Sequence, residues 1–185
     1  MEKFNRLRII GGTHRRRWVE FLDTADLRPT PNRVRETLFN WLGQDLNGKR
    51  CLDLFSGSGA LGIEAVSRGA AEVLIVEKDS TVFRMLQAST AKLALPNVRL
   101  YCKDGLEFVR EDHGLFDVIF LDPPFKSNYL PNLLSLLTGW LTLDGMIYVE
   151  SGEVFEPGPS WIVTKRAKAG TVHYQLLQRN TTPAK

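Results

Sequence analysis

From residue 50 onward, short apolar segments alternate with helical ones, and that alternation leaves few folds open. Apolar runs at 51–55, 73–77, 98–102, 117–121 and 146–150 are separated by helix-like stretches at 60–68, 81–93, 105–110 and 129–137. Strands joined by helical crossovers of this length run parallel, and right-handed crossovers wind such a chain into a sheet covered by helices on both faces. The ending differs. Residues 161–166 and 171–178 flank Ala167-Lys168-Ala169-Gly170, which predicts a closing antiparallel hairpin. The expected fold class is α/β and Rossmann-like, with a mostly parallel seven-stranded sheet finished by that hairpin.

The first 50 residues have another character. Segments 7–12 and 16–22 read as two strands about the turn Gly11-Gly12-Thr13-His14. Arg28-Pro29-Thr30-Pro31 is extended, because proline disfavours helix in the residue before it. A helix follows from Asn32, a plausible N-cap, with Val34, Leu38, Trp41 and Leu42 as its apolar stripe. The organisation expected is a small basic hairpin-and-helix appendage at 1–45, the α/β domain at 46–180, and a frayed tail at 181–185.

Charge supports a division of labour. The net charge of +3 hides eleven Lys/Arg against six Asp/Glu in residues 1–50, and thirteen against fifteen in the rest. The excess is almost all arginine, whose planar fork suits phosphate. Arg8, Arg15, Arg16, Arg17, Arg28, Arg33 and Arg35 are therefore candidate nucleic-acid contacts, against the plainer reading of a solvated basic face. No apolar run approaches the roughly 20 residues of a membrane-spanning helix, and the polar N-terminus is no secretory signal, so the cytoplasm is the expected compartment. Cys51 and Cys102 lack a CxxC partner or a His cluster. Both read as small core residues, and no metal site is expected.

Asp53-Leu54-Phe55-Ser56-Gly57-Ser58-Gly59-Ala60-Leu61-Gly62 joins the first strand of the α/β unit to its first helix. Gly57 and Gly59 permit a tight turn and close approach of backbone to a ligand. Glu77 ends the next strand, placed to accept hydrogen bonds from a ribose. The segment also satisfies the dinucleotide pattern G-x-G-x-x-G, so the glycines do not separate a nicotinamide enzyme from a methyltransferase. Asp53 leans toward the latter: a carboxylate at the strand end suits the cationic methionine end of S-adenosylmethionine and repels a pyrophosphate. Asp104 is placed to meet an adenine amino group, or simply to cap the following helix. The cofactor set expected is Asp53, Phe55, Gly57, Gly59, Glu77, Asp104, Gly105 and Asp122.

Asp122-Pro123-Pro124-Phe125 closes the fourth strand of the α/β unit. Two prolines stiffen the loop and remove two N–H donors, leaving carbonyl acceptors beside one carboxylate and one aromatic face. That set suits an exocyclic amino group. Such a nitrogen is a poor nucleophile, because its lone pair is delocalised into the base. Hydrogen bonds to the Asp122 carboxylate and the Pro123 carbonyl would hold both its protons and aim the lone pair at a methyl donor, while Phe125 stacks on the base.

Taken together, Arg8-Ile9-Ile10-Gly11-Gly12, Arg28-Pro29-Thr30, the block from Arg33 to Leu42, the glycine loop, Asp122-Pro123-Pro124-Phe125 and Tyr148-Val149-Glu150 resemble the bacterial small-subunit ribosomal RNA guanine-N2 methyltransferase D family over nearly the whole chain. The resemblance implies a class I methyltransferase fold and methylation of N2 of one guanine in 16S rRNA, with S-adenosylhomocysteine as product. It implies RNA of the small subunit or its assembly intermediate as partner, possible ribosomal-protein contacts, and a monomer. Three other readings stay open on the residues. They are a DNA adenine-N6 or cytosine-N4 methyltransferase, a nicotinamide-dependent oxidoreductase, and an RNA-binding assembly factor without activity.

Overall fold

The computed structural model describes residues 4–22, 29–124 and 129–181. In chain order the elements are β1 (Phe4–Arg8), β2 (Trp18–Leu22), α1 (Asn32–Trp41), β3 (Arg50–Asp53), α2 (Ala60–Ser67), β4 (Glu72–Glu77) and α3 (Ser80–Leu93), then β5 (Val98–Cys102), α4 (Gly105–Phe108), β6 (Phe116–Leu121), α5 (Leu130–Leu137), β7 (Leu141–Ser151), β8 (Trp161–Ala169) and β9 (Val172–Arg179). Among the described residues, seven strands form one sheet in the order β5-β4-β3-β6-β7-β9-β8. Strands β3 to β7 pair in parallel, whereas β9 pairs antiparallel with both β7 and β8. The expected seven-stranded sheet with its closing hairpin is present. No helix of the described residues is long and apolar enough to cross a membrane.

The order of strands places the site. The chain builds outward from β3 through β4 to β5, then returns to lay β6 against the other side of β3. Ligands of open α/β sheets bind at the carboxyl ends of the strands where the order reverses. Here that point lies between Asp53, the last residue of β3, and Asp122, just past β6.

Alternation along the central strands makes two cores. Cys51, Val73, Ile75, Val118, Phe120 and Tyr148 face α1, α2, α3 and the N-terminal hairpin. Leu52, Leu74, Val76, Ile119, Leu121 and Val149 face α4 and α5. The hairpin is continuous with the first of these cores, since Leu7, Ile9, Val19 and Phe21 are buried in it beside Leu38, Phe39 and Leu86.

Several elements differ from the sequence reading. The strands of the first hairpin are Phe4–Arg8 and Trp18–Leu22, not 7–12 and 16–22, because the Ile10 and Gly11 N–H groups leave the ladder and donate to the Glu64 carboxylate at 3.0 and 2.8 Å. Asn32 is not the N-cap of α1. Pro31 holds that position (φ −56°, ψ 148°), and the Asn32 side chain instead accepts from Arg35 at 2.6 Å. Strand β7 starts five residues earlier than the apolar run at 146–150, with a register irregularity against β6 between Phe116 and Val118. Cys51 is buried, as expected. Cys102 is exposed, because it ends β5 at the edge of the sheet.

Candidate active site

Asp53 is 2 % exposed, and its Oδ2 accepts the Gly62 N–H of α2 at 2.8 Å. The glycine loop before that helix is built for close approach. Gly57 and Gly59 sit at φ 49° and 74°, a left-handed conformation that side chains resist. At Gly62 the demand is packing: a Cβ would lie 2.8 Å from Ile75 and 3.1 Å from the Asp53 carboxylate. Glu77, at the end of β4, ties the loop down by accepting the Gly57 N–H at 2.9 Å and the Asp79 N–H at 2.8 Å. A carboxylate has about four acceptor sites, so Glu77 keeps acceptor capacity for hydroxyl groups of a ligand.

The next wall is aromatic. A Cβ at Gly105 would strike the Phe55 ring at 2.9 Å and the Leu54 carbonyl at 3.1 Å. Phe55 also meets Tyr129, the rings 6.3 Å apart and 19° from parallel. Asp104 caps α4 by accepting the Leu106 N–H at 2.8 Å. Asp53, Phe55, Gly57, Gly59, Glu77, Asp104 and Gly105 thus gather along the carboxyl ends of β3, β4 and β5. Ser56 Oγ, buried at the base of the loop, has no hydrogen-bond partner among the described residues. The position of Tyr129 on this wall was not anticipated; its signal was an aromatic residue opening the helix after the proline loop.

Asp122 is partly buried, Pro123 buried and Pro124 exposed. Phe125, expected to stack on the target, lies outside the described residues, as does Arg28. A third carboxylate joins Asp53 and Asp122. Glu150 is 3 % exposed and accepts from the Tyr148 hydroxyl at 2.9 Å. The three acids stand on adjacent strands, since Asp53 is in register with Phe120, and Phe120 with Tyr148.

Crowding and burial set their protonation. Loss of water pushes the Asp53 carboxyl up to about 7, with the Gly62 N–H opposing and Glu77 and Glu150 adding. Removal from water, then the charges of Glu150 and Asp53, raise Asp122 well above the ordinary carboxylate range. Burial raises Glu150 too, while the hydroxyls of Tyr148 and Thr30 pull it back. Three carboxyl groups thus share a buried cluster, and each binds its proton more tightly than a solvated carboxylate does. Glu150 went unassigned in the sequence, although an acid ending an apolar strand is the same signal that marked Asp53 and Asp122.

The arginines divide. Arg8, Arg15, Arg16, Arg17 and Arg33 are exposed. Arg17 also reaches back to the Leu93 and Lys92 carbonyls at 3.3 and 3.1 Å, at the carboxyl end of α3. Arg35 is not at the surface: it is 1 % exposed. Its guanidinium donates to Glu64 at 3.2 Å, to the Arg8 carbonyl at 2.9 Å and to Asn32 at 2.6 Å. Burial lowers its proton affinity, and Glu64 restores part of it. Glu64, itself fully buried, also pairs with Arg68 at 2.9 Å. The sequence reading of Arg35 as a phosphate contact is thereby corrected: its charge is consumed in docking α1 and the hairpin turn onto α2.

Comparison with known proteins gives a consistent picture. The family model described as "Conserved hypothetical protein 95" matches residues 7–178. The Escherichia coli (strain K12) protein named "Ribosomal RNA small subunit methyltransferase D" is 41 % identical over 179 residues, covering 94 % of this chain and 90 % of that one. A solved structure of a putative methyltransferase from Escherichia coli superposes with a TM-score of 0.87 at 39 % identity, over 96 % of this chain and all of that one. The fold is shared more distantly by a T. thermophilus 16S rRNA N2 G1207 methyltransferase solved with AdoMet and guanosine. There the TM-score is 0.74 at 21 % identity, over 96 % of this chain and 50 % of that one.

Proposed function

The chain belongs to the ribosomal RNA small subunit methyltransferase D family, and from that premise we propose that it methylates the exocyclic N2 amino group of one guanine in 16S rRNA. Methylation of ribosomal RNA from S-adenosylmethionine is the activity the membership brings. A dinucleotide enzyme is set aside with it.

The residues present fit the cofactor. Asp53 would meet the ammonium of its methionine end, Glu77 the ribose hydroxyls, Asp104 the adenine amino group, and Phe55 with Gly105 the adenine face. The unmet Ser56 hydroxyl offers a further polar contact. When bound, the cofactor supplies an electrophilic methyl group on a sulfonium, a good leaving group. The chain's own task is to position the amino group and receive its proton.

Asp122 accepts one N2 proton as a hydrogen bond and the Pro123 carbonyl accepts the other, directing the lone pair. As the N–CH3 bond forms, the nitrogen sheds one proton to the Asp122 carboxylate. The observation that carries this role is the grouping of Asp122 with Asp53 and Glu150, which makes Asp122 a stronger base than a solvated aspartate. Phe125 is proposed to stack on the flipped base, and extrusion of that base costs a few kcal/mol. The exposed Arg8, Arg15, Arg16, Arg17 and Arg33 supply phosphate contacts. We take the substrate as the small subunit or its assembly intermediate, the enzyme as a monomer, and the cytoplasm as its compartment.

The test is transfer of labelled methyl to small subunits from cells lacking the enzyme, followed by mass spectrometry of the nucleosides. N2-methylguanosine is expected. Label on adenine N6 or cytosine N4 of DNA would favour the rival amino methyltransferase, and no transfer to subunits, naked RNA or DNA would overturn the reading.

A further inference from the structure

The two strands of the N-terminal hairpin have unlike faces. Leu7, Val19 and Phe21 point inward and are buried against the domain. The outward face carries Phe4, Arg6 and Arg8 from β1, with Arg8 in register with Trp18 and Arg6 with Glu20 of β2. Trp18 is 52 % exposed and Phe4 55 %. The Arg8 guanidinium lies over the Trp18 ring, 5.7 Å from its centre, and about half of the side chain is open to solvent. The inward positions beside it are filled by Leu7, Val19 and Phe21, and Trp18 is not among the buried residues of that core.

Its surroundings are strongly basic. Arg6 and Arg8 stand two residues apart on one strand, about 7 Å, and Arg15, Arg16 and Arg17 follow at the turn. Among the described residues of this face the one acid is Glu20, which pairs with Arg6 at 3.1 Å and Lys92 at 3.4 Å. The platform is also rigid. The turn is pinned to α2, where the Thr13 N–H donates to the Ser67 carbonyl at 2.7 Å and the His14 N–H to the Ser67 hydroxyl at 2.9 Å. An exposed aromatic ring among arginines on a backbone held to the domain is the arrangement that binds unpaired bases, with stacking on the ring and phosphates on the cations.

We infer that Trp18 is a stacking platform for an unpaired base of the RNA substrate, at a site separate from the reaction centre, with Arg6 and Arg8 meeting the adjoining phosphates. The inference rests on the RNA reading above and names one contact that reading leaves open. An extended single strand lies along β1, its base on Trp18 and its backbone on the two arginines. The site selects for unpaired nucleotides near the target, because a base held in a duplex offers no free face.

The experiment uses the full chain as wild type, Trp18→Phe, Trp18→Ala and Arg8→Gln. The chain has four tryptophans, so the Trp18 signal is the fluorescence difference between wild type and Trp18→Phe. That signal is expected to be quenched on titration with a single-stranded RNA oligonucleotide. Trp18→Ala should weaken oligonucleotide binding about 5- to 20-fold, within the range of one lost stacking contact, without altering the salt dependence. Trp18→Phe should retain most of the affinity. Arg8→Gln should reduce the slope of log affinity against log salt by about 0.7, the value of one single-strand phosphate contact. In methyl transfer to small subunits, Trp18→Ala should raise KM and leave kcat unchanged, with an unchanged melting temperature.

No Trp18-specific quenching, or an unchanged affinity in Trp18→Ala, overturns the proposal. So does weakened binding to intact subunits with unchanged binding to oligonucleotide and protein-free rRNA, which assigns the face to a protein partner. The oligonucleotide titration is independent of methyl transfer, so a failure of the platform and a failure of the functional reading are distinguishable.

Discussion

Arg35→Ala removes a guanidinium that reaches three segments at once: Glu64 of α2, Asn32 of its own helix and the Arg8 carbonyl of the hairpin. Removing one member of a buried ion pair costs about 3–5 kcal/mol, because the remaining charge is left in a medium that solvates it poorly. Here the lower end is expected. Glu64 keeps Arg68 at 2.9 Å and the N–H groups of Ile10 and Gly11. A loss of about 3 kcal/mol in a domain of this size corresponds to a melting temperature lower by roughly 6–12 °C. Arg35→Lys should recover only part of the loss, since one ammonium does not reproduce the guanidinium fork. Arg33→Ala is the control on the same helix. Its side chain is exposed, so stability should change by less than about 0.5 kcal/mol while RNA binding weakens. Denaturant unfolding of the three variants, with RNA binding measured alongside, decides the matter. If Arg35→Ala unfolds within about 1 kcal/mol of wild type, the docking role is wrong. If it instead loses RNA affinity at full stability, the first reading of Arg35 as a phosphate contact was right.

Asp122→Ala should lower kcat for methyl transfer by about 10²–10⁴, the range for a removed proton acceptor, and Asp122→Asn, which still accepts a hydrogen bond, should fall between; undiminished methylation by Asp122→Ala would refute the mechanism. Asp53→Asn should stabilise the cofactor-free protein in a pH-dependent way. The folded carboxyl sits at about 7, above its unfolded value, so the wild type carries no penalty near pH 4 and an increasing one up to pH 7. The variant's advantage should therefore be near zero at pH 4 and reach about 2–4 kcal/mol at pH 8, with cofactor affinity lost; an advantage equal at both pH values in thermal melts would exclude titration of Asp53 as its source. At Gly12, φ is +72° and a Cβ would lie 1.6 Å from the Ser67 carbonyl oxygen, so Gly12→Ala should undock the hairpin turn and lower the melting temperature by several degrees, and a melt matching wild type would show that the turn is not held there.

Much of the fold was legible because its signals are local. The periods of apolar residues from residue 50 onward specify strands and helices one segment at a time, and short crossovers leave a parallel sheet as the outcome. Asp53 and Asp122 were legible for the same reason: a carboxylate ending an apolar strand in an α/β chain must emerge at the carboxyl edge of the sheet, where ligands bind. Glycines at 57, 59 and 62 announced a tight strand-to-helix turn, though only the packing of Ile75 and Asp53 shows why position 62 must be glycine.

What tertiary structure alone decided is the partner of each charge. Arg33 and Arg35 lie two residues apart on one helix, in a run whose composition treats them alike. One faces water and the other is buried against Glu64, because the helix packs one face onto the sheet and α2. Glu64 lies 53 and 54 residues from the backbone donors it satisfies, so no local pattern predicts that it joins the hairpin, α1 and α2. Glu150 likewise comes to lie beside Asp122 and Asp53 only because β7 pairs with β6 and β6 with β3. Backbone conformation follows from nearby residues. The environment of a buried charge depends on segments brought together only in the folded chain.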